Sequence, residues 1–245
     1  MISVYPDYQA LSQAAADLFL EQAMRALEAG TYFNVALSGG STPRRAYELL
    51  AEPPLRDQVP WNLVQVFWGD ERCVPLEDPR RNANMAFQAL LDKVPIPSEQ
   101  VHPISCASDP DRSAREYETL LKGYFADGPA RFDLIFLGLG ENGHTASLFP
   151  GTQALKEVKR WVTAVYAAEQ NLYRVTLTAS VINHAATIAF LVAGSEKSQI
   201  LHDVREGAFE PERMPAQLIK PQDGELFWMA DREAAAQLKG QSVQG

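Results

Sequence analysis

Asn34-Val35-Ala36-Leu37-Ser38-Gly39-Gly40-Ser41-Thr42-Pro43 sets the fold of this chain. Residues 34–38 read as a short buried strand that runs straight into two glycines and then Ser-Thr-Pro, a helix start with proline in its first turn. Strand, glycine turn and helix make the unit of an open parallel sheet, in which ligands bind beyond the carboxyl ends of the strands. The turn is therefore also the first candidate site. Gly39 and Gly40 let backbone approach an anion closely, helix N-terminal N–H groups point at it, and Ser41 and Thr42 add hydroxyl donors. The same residues serve equally as a tight turn with a Ser/Thr cap, so the segment alone leaves both readings open.

The pattern repeats outward. Upstream, Leu11, Ala15, Leu18, Phe19, Ala23, Ala26 and Leu27 fall at helical spacing, with Gly30 where a C-cap belongs. Downstream, strands are expected over 63–68, 133–137, 161–166, 173–178, 187–193 and 225–229. Helices are expected over 83–91, 179–184, 196–204 and 231–238, and another opens at Ser108-Asp109-Pro110 with Ala114, Tyr117, Leu121, Tyr124 and Phe125 on one face. Short apolar strands alternating with amphipathic helices predict an α/β fold on a largely parallel sheet. Stretches 52–60 and 207–221 read as surface loops, and with no repeat or linker the 245 residues are expected to form a single domain, 1–245.

Composition narrows the function. With 22 Lys+Arg against 31 Asp+Glu the formal charge is −9, which argues against nucleic acid or an anionic membrane surface as partner. Hydrophobic residues at 46% and charged residues at 22% belong to an ordinary globular chain. No apolar run approaches the ~20 residues of a membrane span, and the first ten residues carry no basic or apolar leader pattern. Cys73 and Cys106 are too few for a disulfide framework or a Cys-rich zinc site and fit a reducing compartment. A soluble cytoplasmic protein is expected, a monomer or small homo-oligomer.

Three further segments follow predicted strands. Gly69-Asp70-Glu71-Arg72 offers an anion clamp in Arg72 and acids or sugar-hydroxyl acceptors in Asp70 and Glu71, although three adjacent charges taken alone read as a solvated loop. Gly138-Leu139-Gly140-Glu141-Asn142-Gly143-His144 lacks the third glycine of a dinucleotide fingerprint but places one histidine in a glycine-rich loop. His144 suits a general base, or equally a structural histidine bonded to backbone. His102, His184 and His202 lack such a setting and read as structural or surface residues. Arg174 and Lys197 are cations at strand ends that a parallel sheet would gather on one edge.

Together, SGGSTP, GDERCVP followed by RNANMA, GENGHTASLFPG, RVTLT and GSEK resemble the 6-phosphogluconolactonase family, within the wider group that includes glucosamine-6-phosphate deaminase. The resemblance spans nearly the whole chain. It implies a three-layer Rossmann-like fold with a mainly parallel central sheet. It implies hydrolysis of 6-phospho-D-glucono-1,5-lactone to 6-phosphogluconate, the second step of the oxidative pentose phosphate pathway, with neither metal nor redox cofactor. By the same resemblance His144 activates water, Arg72, Lys197 and residues 39–42 hold the phosphate, and Arg174 contacts substrate. Backbone N–H groups of loop 140–143, Gly143 included, are candidate oxyanion donors.

The chain departs from the family at one place. The usual D-G-H is Asn142-Gly143-His144 here, so the partner of the base is an amide, and Asn142→Asp is expected to retain or raise activity. An isomerase of the deaminase type, whose segment resembles D-G-H-I-A-F-N-E-P, would need carboxylates where this chain has Asn142 and Phe149. A non-catalytic sugar-phosphate sensor is the rival of another class, and Asn142 is the feature in its favour.

Overall fold

The computed structural model describes residues 1–106, 109–126, 128 and 130–239. The elements in chain order are β1 (Ile2–Tyr5), α1 (Tyr8–Ala29), β2 (Phe33–Leu37), α2 (Ser41–Leu50), α3 (Leu55–Gln58), β3 (Val64–Trp68), β4 (Asp70–Arg72), α4 (Asn82–Ala89), α5 (Pro110–Tyr124), β5 (Leu134–Gly138), β6 (Val162–Ala167), β7 (Leu172–Leu177), α6 (Ala179–Ile182), β8 (Thr187–Val192), α7 (Ser198–Glu206) and β9 (Glu225–Asp231). Six strands form one all-parallel sheet in the order β1-β9-β8-β5-β2-β3. The chain steps from β2 outward to β3 and then returns to the other side of β2 for β5. The connections after β2 and β5 therefore diverge, and a crevice opens beyond their carboxyl ends.

Local sequence explains most of these elements. Asp7 caps α1 by accepting from the Ala10 N–H at 2.9 Å, and Gly30 ends it at φ 67°. Asp109 caps α5 through the Arg112 N–H, with Pro110 in the first turn; Ser108, included in the expected start of this helix, lies outside the described residues. α1 packs on α2 and α2 on β5 and β8. The ends of β2 and β3 are closed by two buried phenols: Tyr47 Oη accepts from Ser38 N and donates to Ser38 O, both at 3.1 Å, and Tyr117 Oη bonds Trp68 N and O likewise. Both are held well above the ordinary phenol pKa by burial, so they stay neutral hydrogen-bonding staples under the site loops.

Four expectations need correcting. The helix expected over 231–238 does not form: Asp231 ends β9, residues 232–237 are turns, and the Asp231 carboxylate accepts from Gly194 N and Ala234 N. The stretch 52–60, expected as loop, holds the single turn α3. Residues 70–72 are not a solvated loop: they form β4 of a second, antiparallel sheet ordered β4-β7-β6, with Asp70 and Glu71 buried. Finally, Cys73 and Cys106 are joined in a disulfide across 33 residues, with Cα atoms 4.6 Å apart, which ties the chain behind Arg72 to the stretch below α5. Among the described residues no helix is long and apolar enough to cross a membrane.

Candidate active site

A cavity of about 300 Å³ sits in the crevice, lined by residues from both sheets. From the parallel sheet come Gly39, Gly40, Ser41 and Thr42 after β2, Gly140 and His144 after β5, and Lys197 after β8. From the small sheet come Asp70, Arg72 and Arg174. The sequence expected Arg174 at the end of a parallel strand. It stands inside β7, directly opposite Arg72 of β4 in the antiparallel register. Cross-strand partners share a face, so both arginines line the cavity wall, Arg72 Nη1 donating to Arg80 O at 2.6 Å and Arg174 Nη1 to Asp70; like charges opposite one another are unfavourable without such a counter-anion. The Nε atoms of both are buried with no hydrogen-bond partner among the described residues.

Asp70 anchors the cationic wall. Its Oδ2 accepts from Arg174 Nη1 at 3.2 Å and Ser147 Oγ at 2.5 Å, while Oδ1 accepts from Asn82 Nδ2 at 3.1 Å. Burial and the Arg72 charge lower the Arg174 pKa and Asp70 opposes that shift, so the carboxylate keeps the guanidinium charged and aimed. Behind it, the fully buried Glu71 accepts three backbone N–H bonds, from Arg72, Asn82 and Ala83, at 2.7 to 2.8 Å. These fix the end of β4 to the first turn of α4. Burial pushes the Glu71 carboxyl up, against those three donors. Asn82 is also the reason for Gly39: a Cβ there would lie 1.7 Å from Asn82 Oδ1.

His144 is held from two directions. Its Nδ1 lies 2.6 Å from Asn142 Oδ1, and its ring packs on Phe149 with centroids 4.4 Å apart. The Arg174 guanidinium lies 5.4 Å from the centroid of that same phenyl ring. Gly140 makes room for the imidazole, since a Cβ at residue 140 would lie 2.0 Å from His144 Nδ1. With Nδ1 committed to an oxygen, the proton sits on Nδ1 and the free lone pair on Nε2. Burial, then Arg174, lower the His144 pKa to about 4, so the ring is neutral at pH 7 and available as a base.

Two sequence-predicted residues do not reach this cavity. Asn142 stands behind His144, on the wall of a larger cavity of about 670 Å³. Gly143 is turned away: its N–H donates to Gly140 O and its carbonyl accepts from Ala216 N. The Gly140 N–H is likewise taken by His144 O, so neither glycine has an N–H left for an oxyanion. Among the described residues the larger cavity is lined by one cation, Arg213, and the smaller by three, Arg72, Arg174 and Lys197. Residues without an assigned role in the sequence also take part: Asn82 and Gln170 line the cavity, Gln170 accepting from Arg174 Nη2, and the buried Ser147 supports it by donating to Asp70. Asn82 lies in RNANMA and Ser147 three residues past the histidine, so only their place in the motifs hinted at them. His102 bonds Gln65, His184 bonds Ser180 O and His202 faces Asp203, all away from the site.

A crevice walled by two sheets, with three cations and one neutral histidine on its lining, defines an α/β protein with room for a small anionic ligand. Comparison with known proteins agrees. The profile of the glucosamine-6-phosphate isomerases/6-phosphogluconolactonase family matches residues 6–228, and the chain belongs to that family. It is 43% identical over 209 residues to the 6-phosphogluconolactonase of a Synechocystis species, covering 84% of each chain, and 39% identical over 241 residues to that of a Nostoc species, covering 97% of this chain and 98% of the other. Among solved structures, the 6-phosphogluconolactonase of Trypanosoma brucei superposes with a TM-score of 0.84 at 29% identity, over 97% of this chain and 98% of that one.

Proposed function

We propose that this protein hydrolyses 6-phospho-D-glucono-1,5-lactone, with His144 as general base. The observation that carries the proposal is the shared cavity: a neutral imidazole with its free Nε2 lies in the same 300 Å³ crevice as Arg72, Arg174, Lys197 and the start of α2. The phosphate is held by Arg72, Lys197 and the first N–H groups and hydroxyls of α2, which fixes the distant end of the substrate. Nε2 takes a proton from water, the oxygen adds to the lactone carbonyl, and negative charge grows on the carbonyl oxygen, where the Arg174 guanidinium supplies donors. Collapse of the intermediate breaks the ring C–O bond, and the proton on Nε2 passes to the departing ring oxygen. His144 ends neutral, ready for another turnover.

Phe149 supports hydrolysis over sugar isomerisation. It occupies the place where the deaminase-like segment carries a glutamate, and its ring packs on His144, so the base faces an apolar wall rather than a second acid. The product carries one more negative charge than the lactone, and the surrounding net charge of −9 favours its departure. As an enzyme of the oxidative pentose phosphate pathway the protein would work in the cytoplasm, on a small phosphorylated lactone, as a monomer or small homo-oligomer. The test is turnover of freshly generated 6-phosphogluconolactone at slightly acidic pH, where spontaneous hydrolysis is slow. A rate well above background is expected. No excess, or ammonia release from glucosamine 6-phosphate at a comparable rate, overturns the assignment.

A further inference from the structure

An imidazole acts as a base from one tautomer, and here the neighbour that selects the tautomer is an amide. A carboxylate at residue 142 would accept from Nδ1 whichever way it turned. An amide turned by its oxygen keeps the proton on Nδ1, whereas one turned by its nitrogen claims the Nδ1 lone pair and drives the proton onto Nε2. Something must therefore choose the orientation of Asn142. Its Oδ1 accepts from the His144 backbone N–H at 3.2 Å, and its Nδ2 lies 3.3 and 3.2 Å from Oε1 and Oε2 of Glu169. A carboxylate only accepts, so Glu169 admits only the NH₂ end of the amide.

We propose that Glu169 is a positioning residue for the hydrolysis. It holds the Asn142 amide with its oxygen toward His144, keeps the basic lone pair on Nε2, and places a negative charge one amide away from the imidazolium that forms during turnover. The proposal rests on the reading of His144 as base. Its geometry comes from the hairpin between β6 and β7: residues Ala168–Gln170 form a 3-10 turn closed by Asn171 at φ 51°, which presents Glu169 to Asn142 and the adjacent Gln170 to Arg174. One turn thus grips both the base and the guanidinium.

The charges facing His144 are balanced two against two. Arg174 and Lys197 disfavour the imidazolium, while Asp70 and Glu169 favour it. Removing Glu169 leaves the cations in the majority. Glu169 is exposed, so its effect is attenuated by solvent and weakens with salt. The His144 backbone N–H also supports the productive orientation, which limits the loss further.

The experiment is a double-mutant cycle on the full chain, read by kinetics and by ¹⁵N spectra of histidine side chains. Glu169→Ala alone is expected to lower kcat about tenfold with little change in KM, and to shift His144 from a single Nδ1-protonated form toward a mixture of tautomers. In the Asn142→Asp background the effect should change sign. There Glu169→Ala removes one of two facing carboxylates and is expected to raise kcat about threefold, so the gain expected from Asn142→Asp depends on Glu169. Equal losses in both backgrounds would mean a merely structural role and overturn the proposal, as would an unchanged kcat and tautomer in Glu169→Ala. The ¹⁵N spectrum is recorded without substrate and tests the hold of Glu169 on the tautomer by itself. Wild-type turnover by His144→Asn would instead overturn the underlying reading of the base.

Discussion

The parallel sheet reaches the cavity with backbone and a single histidine, whereas the small antiparallel sheet reaches it with charge. On the parallel side, Gly39, Gly40 and Gly140 let chain and imidazole approach closely, and among the described residues Lys197 alone contributes a cation. On the antiparallel side, Arg72, Arg174 and Asp70 are locked by cross-strand register and by the buried bonds of Asp70. The division has a physical reason. Open strand ends of a parallel sheet leave N–H groups and room for a ligand, but they do not hold two like charges together. Antiparallel pairing does so, provided that a buried acid lies between the cations and the core.

Changes on the two sides should therefore fail differently. Gly140→Ala drives a methyl into the imidazole and should lower kcat/KM by about 10³-fold, the scale of a lost general base, with a smaller change in stability. A loss of stability without loss of kcat would break the comparison. Asp70→Asn places an amide among the Arg174, Ser147 and Asn82 donors, and should cost about 3 kcal/mol of unfolding free energy in urea melts as well as activity. A fully stable variant would show that the small sheet does not depend on this acid. Arg72→Ala should raise KM about tenfold while largely sparing kcat; inorganic phosphate is expected to raise the Tm of the unaltered protein, and to raise that of the variant much less.

The pH profile sharpens the comparison with the smallest effect. In the proposed mechanism only the neutral form of His144 works as base, and burial with Arg174 lowers its pKa to about 4. kcat/KM should therefore stay level as pH falls from 7 through 6, and decline only near 4. The phosphate of a bound substrate offsets the charge of Lys197, one of the cations that lower the His144 pKa, so the acid limb of kcat should lie above that of kcat/KM. An acid limb in kcat/KM at the ordinary histidine value would show that the ring is solvated rather than buried.

Legibility in the sequence follows the same line. Residues 34–43 and 133–144 carry their structure locally: apolar runs, glycines at close approach, and a proline in a first turn. The parallel sheet and His144 are readable for that reason. The small sheet is not, because Asp70-Glu71-Arg72 is only three residues of charge whose burial depends on β7, about a hundred residues away. The Cys73–Cys106 pairing and the Glu169–Asn142 contact are non-local in the same sense. Gly143 shows the converse: it looks like part of a ligand loop, yet its N–H and carbonyl are already spent inside the protein.

The central claim is that a neutral His144, presented by the loop after β5, activates water against a lactone held by the cations of both sheets. The most direct measurement is hydrolysis of 6-phosphogluconolactone by His144→Asn beside the unaltered chain, each corrected for spontaneous hydrolysis at the same pH. The account predicts that the variant still binds the phosphorylated ligand but turns over about 10³-fold more slowly. Turnover at the unaltered rate would contradict it.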